Sequence, residues 1–458
     1  MTARPTVLKL REYESATIGP AWDAARKTVP PSVVAEVERL QAEKGVEYLA
    51  ISRRRITAQN HVGVVAVGER VIEILPKTDE LDDSARRRLV EMLSIAGMLP
   101  HLDAGVADLA ASVPCLLDAF MQAYLRQLTI EWRRGRICSY RKTDEDRLSL
   151  RGKLLFAEQL RRNRFRPTRF ATRADQFVAD VPPSRLLKAG VTVCRRHGWS
   201  DATRRGATSL LAEFDDVSNH TFTESELARV KPDRQMARFE PLLTLAAWFV
   251  RGCVPDRPGG AATFSLMFDM NAVFEQYIGR LLTPLCSAPF RVHLQAMGRA
   301  LVVRDGKRKF WLRPDAAIRR GQEFSLLIDT KWKLLDRTHP HEGVRQSDMY
   351  QAYAYAREYS CPHVFLLYPR FRDLSPNVAA YRLQPGDENS PRIGVKTVDI
   401  TQPIAKVRQE LQGLLREALG GMTLPVDAKA AHHSEPIQDN AVAAAIASES
   451  ALRQSPSP

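Results

Sequence analysis

Two apolar runs, one on each side of a short glycine-containing break, constrain this chain more than any other feature, because each carries an acid where a buried strand tolerates it least. Phe310 to Ile318 reads as one strand and Phe324 to Trp332 as the next, with Gly321-Gln322 between them. The first contains Pro314-Asp315 and the second Asp329-Thr330-Lys331. Asp329 and Lys331 are two apart, so on a strand they share a face. Whether Asp315 joins that face is a matter of parity. With a two-residue loop, Arg320 pairs with Glu323, and Asp315 lies opposite Ile328, on the wrong face. A three-residue loop over Arg320 to Gln322 puts Asp315 opposite Leu327, on the face of Asp329. The reading therefore requires an odd-length loop or a bulge, and Gly321 suits the left-handed position beside one.

Two carboxylates brought together in this way repel unless a cation sits between them. Mg²⁺ binds oxygen ligands and keeps several waters. Asp315, Asp329 and the carbonyl of Thr330 could supply the protein's share. Such a metal holds a phosphate oxygen and lowers the pKa of an attacking water. Lys331 would orient that water or neutralise charge growing on the phosphoryl oxygens. Two acids and a lysine at this spacing form the PD-(D/E)xK arrangement of metal-dependent nucleases. Pro-Asp alone is an ordinary turn dipeptide, and Asp-x-Lys alone an ordinary solvated strand edge. Together, behind Phe324, Leu326, Leu327 and Ile328, they favour a functional site, since an unpartnered buried acid is expensive.

Flanking helices extend the pattern. Phe268 to Leu282 reads as a helix with Asn271 and Glu275 on one face. Glu275 there is either a holder of a metal-bound water or an ordinary surface glutamate. Ser347 to Tyr359 reads as a helix with Gln351 and Tyr355 on one face, either beside the site or facing the core. His363 to Tyr368 is an apolar strand ended by Pro369. The order helix, strand, strand, helix, strand (α-β-β-α-β) is that of a small nuclease core. His339 and His341 flank Pro340, but with no Cys or third His nearby they are not taken as metal ligands.

The whole chain reads as a multidomain α/β protein. Residues 1–105 form a mixed α/β module, with a hairpin from Val62 to Val67 and Arg70 to Leu75 around Gly68-Glu69, and a helix from Asp82 to Met98. Residues 106–235 read as mostly helical and basic, through Leu116 to Trp132, Ser184 to Cys194 and Asp201 to Phe214. Residues 236–425 hold the nuclease core and close on a helix from Ile404 to Leu419. Residues 426–458, rich in Ala, Ser, Asp and Pro, read as a disordered tail. The 458 residues carry a net charge of +14, and the surplus concentrates between Glu131 and Asp175, with 14 basic against 6 acidic residues. Such a concentration reads as a footprint for a polyanion, a DNA contact or a stalk. No apolar run approaches the roughly 20 residues that span a bilayer, so no membrane role is expected. Cys115, Cys138, Cys194, Cys253, Cys286 and Cys361 form no CxxC pair, which fits a reducing cytoplasm.

Several stretches resemble the McrC family, the nuclease subunits of McrBC modification-dependent restriction systems. They are Met270 to Glu275, Leu312-Arg313-Pro314-Asp315, Ile328 to Lys333 and Ser347 to Ala356, with Val62 to Val65, Ile72 to Lys77, Leu89 to Leu93 and Leu150-Arg151-Gly152-Lys153 nearer the N-terminus. The resemblance implies a partner, a McrB-like AAA+ GTPase ring that recognises modified DNA. The N-terminal module would dock on that ring and stimulate GTP hydrolysis, and the nuclease domain would cut double-stranded DNA carrying modified cytosine, such as 5-methylcytosine. The chain has no GxxxxGK[ST] run, so GTP would belong to the partner. Two other readings stand beside this one: a regulatory adaptor that mainly activates the motor, and a free-standing RecB-like nuclease, against which the N-terminal module argues.

Overall fold

The computed structural model describes residues 7–420 apart from 79–80, 100–108, 111–112, 231–233, 255–262, 297, 372–373, 385 and 388–389. The tail 426–458 lies outside the described residues.

The hairpin forms where the apolar pattern places it. His61–Val67 and Arg70–Leu75 pair antiparallel, and Gly68 turns with φ 59°. Two partners come from far away in sequence. Val7–Arg11 lies parallel to Arg70–Leu75, and Thr263–Asp269 lies antiparallel to His61–Val67. Cys253–Val254 completes this five-stranded sheet. Close approach in it depends on Gly63, at φ 140°, where a Cβ would stand 2.1 Å from the Leu266 carbonyl oxygen. Cys253–Val254 and Thr263–Asp269 thus belong by pairing to the N-terminal sheet, although they lie beyond residue 236. A four-stranded sheet, ordered Thr28–Val29, Ser15–Ile18, Arg55–Ala58 and Leu49–Ile51, and the helix Pro31–Lys44 cover one face of the module. The stretch Val46 to Ala58 is therefore two short strands.

A buried ion pair fixes the next helix, Asp82–Ile95, to the sheet. Arg86 and Glu73 are 1% and 0% exposed, and two guanidinium nitrogens meet the two carboxylate oxygens at 3.0 and 3.1 Å. The Leu116 N–H donates to the same carboxylate, and the guanidinium also donates to the Ala110 and Val113 carbonyls. Every polar atom of the pair's contact is thereby matched, as burial of charge requires.

The helices expected in the middle region form as Leu116–Arg134, Pro182–His197 and Asp201–Ala212. The most basic segment, read as helical, is not. Ser139–Arg147 and Phe170–Val178 pair antiparallel over nine residues each, with Lys153–Leu154 on the edge, and the helix Phe156–Arg162 between them is two turns long. The alternation along the central strand, Phe170–Val178, has period two, not 3.6. Ala171 and Thr172 begin a run in which buried Ala174 stands between exposed Arg173 and Asp175, and Arg173 pairs across the ribbon with Asp144 at 2.6 Å. Charge and alternation stabilise such a ribbon without an apolar stripe.

The last sheet has six strands, ordered Phe290–Leu294, Ala316–Arg320, Glu323–Thr330, His363–Pro369, Arg392–Val398 and Asn377–Arg382. Its central strands are parallel and its edges antiparallel. Alternate residues serve opposite cores. Ile318, Leu326, Ile328, Phe365 and Leu367 pack into the large core with the helices Met270–Leu282 and Ile404–Leu419. Ala317, Leu327, Val364 and Leu366 pack against the helix Gln346–Glu358 on the other side. The strand read as Phe310 to Ile318 is two strands. Lys307–Leu312 pairs with Arg299–Arg304 in a separate ribbon, and Ala316–Arg320 joins the sheet. Pro314, with no N–H and a fixed φ, stands at the break. The helix expected from Phe268 begins at Met270, because Asp269 ends a strand and caps the helix through the Asn271 N–H at 2.9 Å. No helix among the described residues is long and apolar enough to cross a membrane.

Candidate active site

The register resolves the parity question by a bulge. Arg320 pairs with Glu323 across a two-residue loop, with Gly321 at φ 62°. Arg319 then faces Phe324, whereas Ile318 faces Leu326, so Ser325 is the extra residue. Beyond the bulge Ala317 faces Leu327 and Ala316 faces Ile328. Asp315, the residue before the strand, is thereby brought level with Asp329 and onto the same face. The odd-length alternative, with Asp315 opposite Leu327, is not the one adopted, but the parity it served is kept.

Asp315 is held by its neighbour strand. Its Oδ2 accepts from the Thr330 N–H and from the Thr330 hydroxyl, both at 2.6 Å. Asp329 is 2% exposed and its Oδ2 lies 2.5 Å from Lys331 Nζ. That oxygen has no aligned hydrogen bond. Lys331 also donates to Gln351 Oε1 at 3.0 Å, Gln351 Nε2 donates to the Tyr355 hydroxyl at 2.8 Å, and Tyr355 donates to the Arg313 carbonyl at 3.0 Å. A relay of four side chains thus runs from the second acid back to the residue before Pro314. It exists because Gln351 and Tyr355, four apart, lie on the helix covering the face of Leu327, Asp329 and Lys331.

Glu275 comes from the helix on the other side of the sheet. Its Oε1 accepts from Gln295 Nε2 at 2.7 Å. Gln295 in turn accepts from Arg313 through its side chain, and its N–H donates to the Asp315 carbonyl at 2.8 Å. Gln295 therefore ties Glu275, Arg313 and Asp315 together, and nothing in the sequence singled it out. Asn271 does not join this group: its N–H and its side-chain amide both donate to Asp269, the residue that caps this helix. His339 pairs with Asp336 on the exposed loop, at 3.1 Å.

Burial first, and the Glu275 carboxylate second, push the Asp315 carboxyl up to about 6 against the Thr330 donors and Lys331. Burial and then Asp315 push Asp329 up to about 6 against Lys331. Glu275 is raised by burial and by Asp329 and Asp269, and lowered by Gln295 and Arg313. The three acids thus stand close enough to oppose one another's ionisation, as carboxylates sharing a site do.

The family described as "McrBC 5-methylcytosine restriction system component" matches residues 56–369, more than half of the chain. The chain belongs to the McrBC family. Its fold resembles a refined half-complex from the tetradecameric assembly of Thermococcus gammatolerans McrB AAA+ hexamers with bound McrC. The TM-score is 0.71 at 18% identity, over 90% of this chain and 100% of that one. A cryo-EM structure of the Thermococcus gammatolerans McrBC complex matches with TM-score 0.50 at 21% identity, over 62% of this chain and 89% of that one. No curated protein matches the sequence.

In this McrBC chain the donor set fits a divalent cation of the Mg²⁺ kind. Among the described residues no group of three or more His, Cys, Asp or Glu forms a ready cage. Mg²⁺ needs none, since it is held through one or two carboxylates and keeps its waters. The observation that carries the fit is the buried Asp329 Oδ2, which lacks an aligned hydrogen bond beside a second raised carboxylate. A cation there would offset the carboxylate repulsion that Lys331 offsets only in part.

Proposed function

We propose that this chain is the Mg²⁺-dependent endonuclease subunit of a McrBC-like restriction system. It cleaves double-stranded DNA carrying methylcytosine together with a McrB-like AAA+ GTPase ring that it stimulates. The observation that carries the reading is the meeting of Asp315, Asp329 and Lys331 at one end of the six-stranded sheet, on one face. The family match supports the restriction role, and structural neighbours in which McrC is bound to McrB AAA+ hexamers support the ring as partner.

Asp315, Asp329 and the carbonyl of Thr330 are the proposed ligands. When bound, the metal supplies a Lewis acid for a phosphate oxygen and a more acidic water. Thr330 fixes the rotamer of Asp315 through two hydrogen bonds. Lys331, steered by Gln351 and by the Tyr355 hydroxyl behind it, presents its ammonium to the attacking water or to the phosphoryl oxygens. Glu275, raised in pKa and held by Gln295, stands ready to hold a water or a proton at the edge of the site. The N-terminal module is assigned to docking, the basic three-stranded sheet to DNA contact or a stalk, and recognition of the modified base to the partner.

The test is cleavage of methylated DNA by the reconstituted complex with Mg²⁺ and GTP. Asp329→Ala and Asp315→Ala should each remove cutting while leaving stimulation of the partner's GTPase intact. Lys331→Ala should lose cutting while still binding metal. Cutting retained by Asp329→Ala would return the chain to the adaptor reading.

A further inference from the structure

The ribbon that precedes Pro314 has no part in the sheet or in the chemistry described so far. Arg299–Arg304 and Lys307–Leu312 pair as Ala300 with Trp311, Val302 with Lys309, Val303 with Arg308 and Arg304 with Lys307. The turn is Asp305-Gly306, with φ 53° and 72°, the sequence and backbone of a tight two-residue hairpin. A lone two-stranded ribbon is marginal in water. This one is anchored at its base, where Leu312 is buried and the Tyr359 hydroxyl donates to its carbonyl oxygen at 2.8 Å, and Arg299–Arg304 runs beside the helix Gln346–Glu358. Beyond the base the ribbon is bare. Phe310 is 76% exposed, Val303 66% and Trp311 50%.

Its charge is one-sided as well. From Arg299 to Leu312 there are five basic residues and one acid, Asp305. Strand alternation puts Lys307, Lys309 and Trp311 on one face, with Arg304 and Val302 across from them. Arg304 is paired with Asp305, and Arg308 donates to the Gly298 carbonyl. Cations followed on the same face by an exposed aromatic suit a phosphate backbone and the edge of a groove, and two-stranded ribbons enter DNA grooves. Location adds the decisive argument. Leu312 is three residues from Asp315, a reach of about 10 Å at most. A duplex with a phosphate at Asp315 and Asp329 therefore passes within reach of the ribbon's base.

We propose that this hairpin is a DNA-engaging wing of the nuclease unit. Lys307 and Lys309 hold the phosphates of the duplex beside the cleavage point, and Trp311 lies against the groove edge between them. This rests on the nuclease reading, because Asp315 and Asp329 place the duplex.

The experiment measures binding of the full chain to a short fluorescent duplex over a range of salt, for the parent, Lys307→Gln/Lys309→Gln and Trp311→Ser. Each phosphate contact contributes about 0.9 to the slope of log affinity against log salt, so the double variant should lose about 2 from it. Trp311→Ser should weaken binding at every salt concentration with the slope unchanged. All three positions are on exposed strand faces, and an unchanged thermal melt verifies the fold. An unchanged slope in the double variant overturns the proposal, as does a parent that binds no duplex at low salt. A change of oligomeric state in either variant with DNA affinity intact also overturns it, by showing that a second copy covers the ribbon. Cleavage dependent on Asp329 with an unchanged salt slope removes the wing alone. A reduced slope in a chain whose cleavage ignores Asp329 removes the nuclease reading alone.

Discussion

Glu12 offers a pH dependence that can be worked out from its surroundings. It follows the strand Val7–Arg11 and is 4% exposed. Both its carboxylate oxygens lie 2.9 Å from Trp332 Nε1, and its Oε2 accepts from the Lys77 N–H at 3.0 Å. Lys77 Nζ donates to the Trp332 carbonyl at 3.1 Å and sits 4.7 Å from the centre of the Tyr13 ring. The N-terminal sheet is therefore fastened to the residue that follows Lys331. Burial, only partly offset by Lys77 and the Trp332 donor, lifts the Glu12 carboxyl from 4.5 to about 7. An acid raised on folding keeps its proton longer in the native state than in the unfolded one. Stability then falls as pH rises from 4.5 to 7, and above that the whole cost is present, about 3 kcal/mol. Glu12→Gln keeps an acceptor for Trp332 and cannot ionise. It should match the parent at pH 4 and exceed it by about 3 kcal/mol at pH 8. Asp315 and Asp329 also titrate over this range, so the quantity to measure is the difference between the two proteins in denaturant unfolding, pH by pH. A difference that stays flat from pH 4 to 8, or that favours the parent at pH 8, refutes the reasoning.

Two further outcomes follow from charge placement. Arg86→Met should cost about 3–5 kcal/mol in denaturant unfolding, because it leaves the buried Glu73 without its counter-charge and with the Leu116 N–H as its remaining donor, whereas Arg86→Met/Glu73→Leu should recover most of it. Reversing Arg161, Arg162 and Arg164 to Glu should weaken DNA binding equally for every sequence and reduce its salt dependence. Because Arg161 and Arg162 are already paired with Glu158, the loss should be smaller than three unpaired cations would give, and an unchanged slope assigns this surface to solvent.

What the sequence carried, and what it hid, divides along physical lines. Period-two alternation placed Asp329 and Lys331 on one face, and parity demanded a bulge that the register contains. The helix Ile404–Leu419 and the hairpin around Gly68 were legible because their apolar patterns are local. The strand Val7–Arg11 was not, since its partner is some sixty residues away and a parallel pairing leaves no turn signal. The ribbon in the basic region was hidden because its stability comes from charge and cross-strand alternation. Gln295 was hidden for a different reason: its role lies in joining Glu275, Arg313 and Asp315, which only the fold brings together. Pro314 was visible but misread. It marks a break between two strands, and the break lets Asp315 leave the ribbon's direction and enter the sheet's.

The pairing of Thr263–Asp269 with His61–Val67 changes how the proposed docking and cutting can be separated. A cut near residue 235 follows the boundary that composition suggests. It would strip the hairpin of its neighbour strand and expose the edge of His61–Val67, an invitation to aggregate. It would also remove Leu242, Leu245, Ala246 and Phe249 from the core that holds Tyr124 and Leu187. The other fragment would begin with that apolar helix and lose Glu12 and Lys77 from Trp332. Neither piece would be a fair test of its function, since each would carry a buried face turned to water. Asp269 also reaches back, accepting from Asn60 at 2.9 Å, so the start of the helix bearing Glu275 is itself fixed by the N-terminal sheet. The proposed docking and cleavage must therefore be separated by single substitutions in the intact chain. The same continuity gives a route by which a partner held on the first module could bias the geometry at Lys331: through Glu12 and Lys77 to Trp332, one residue away.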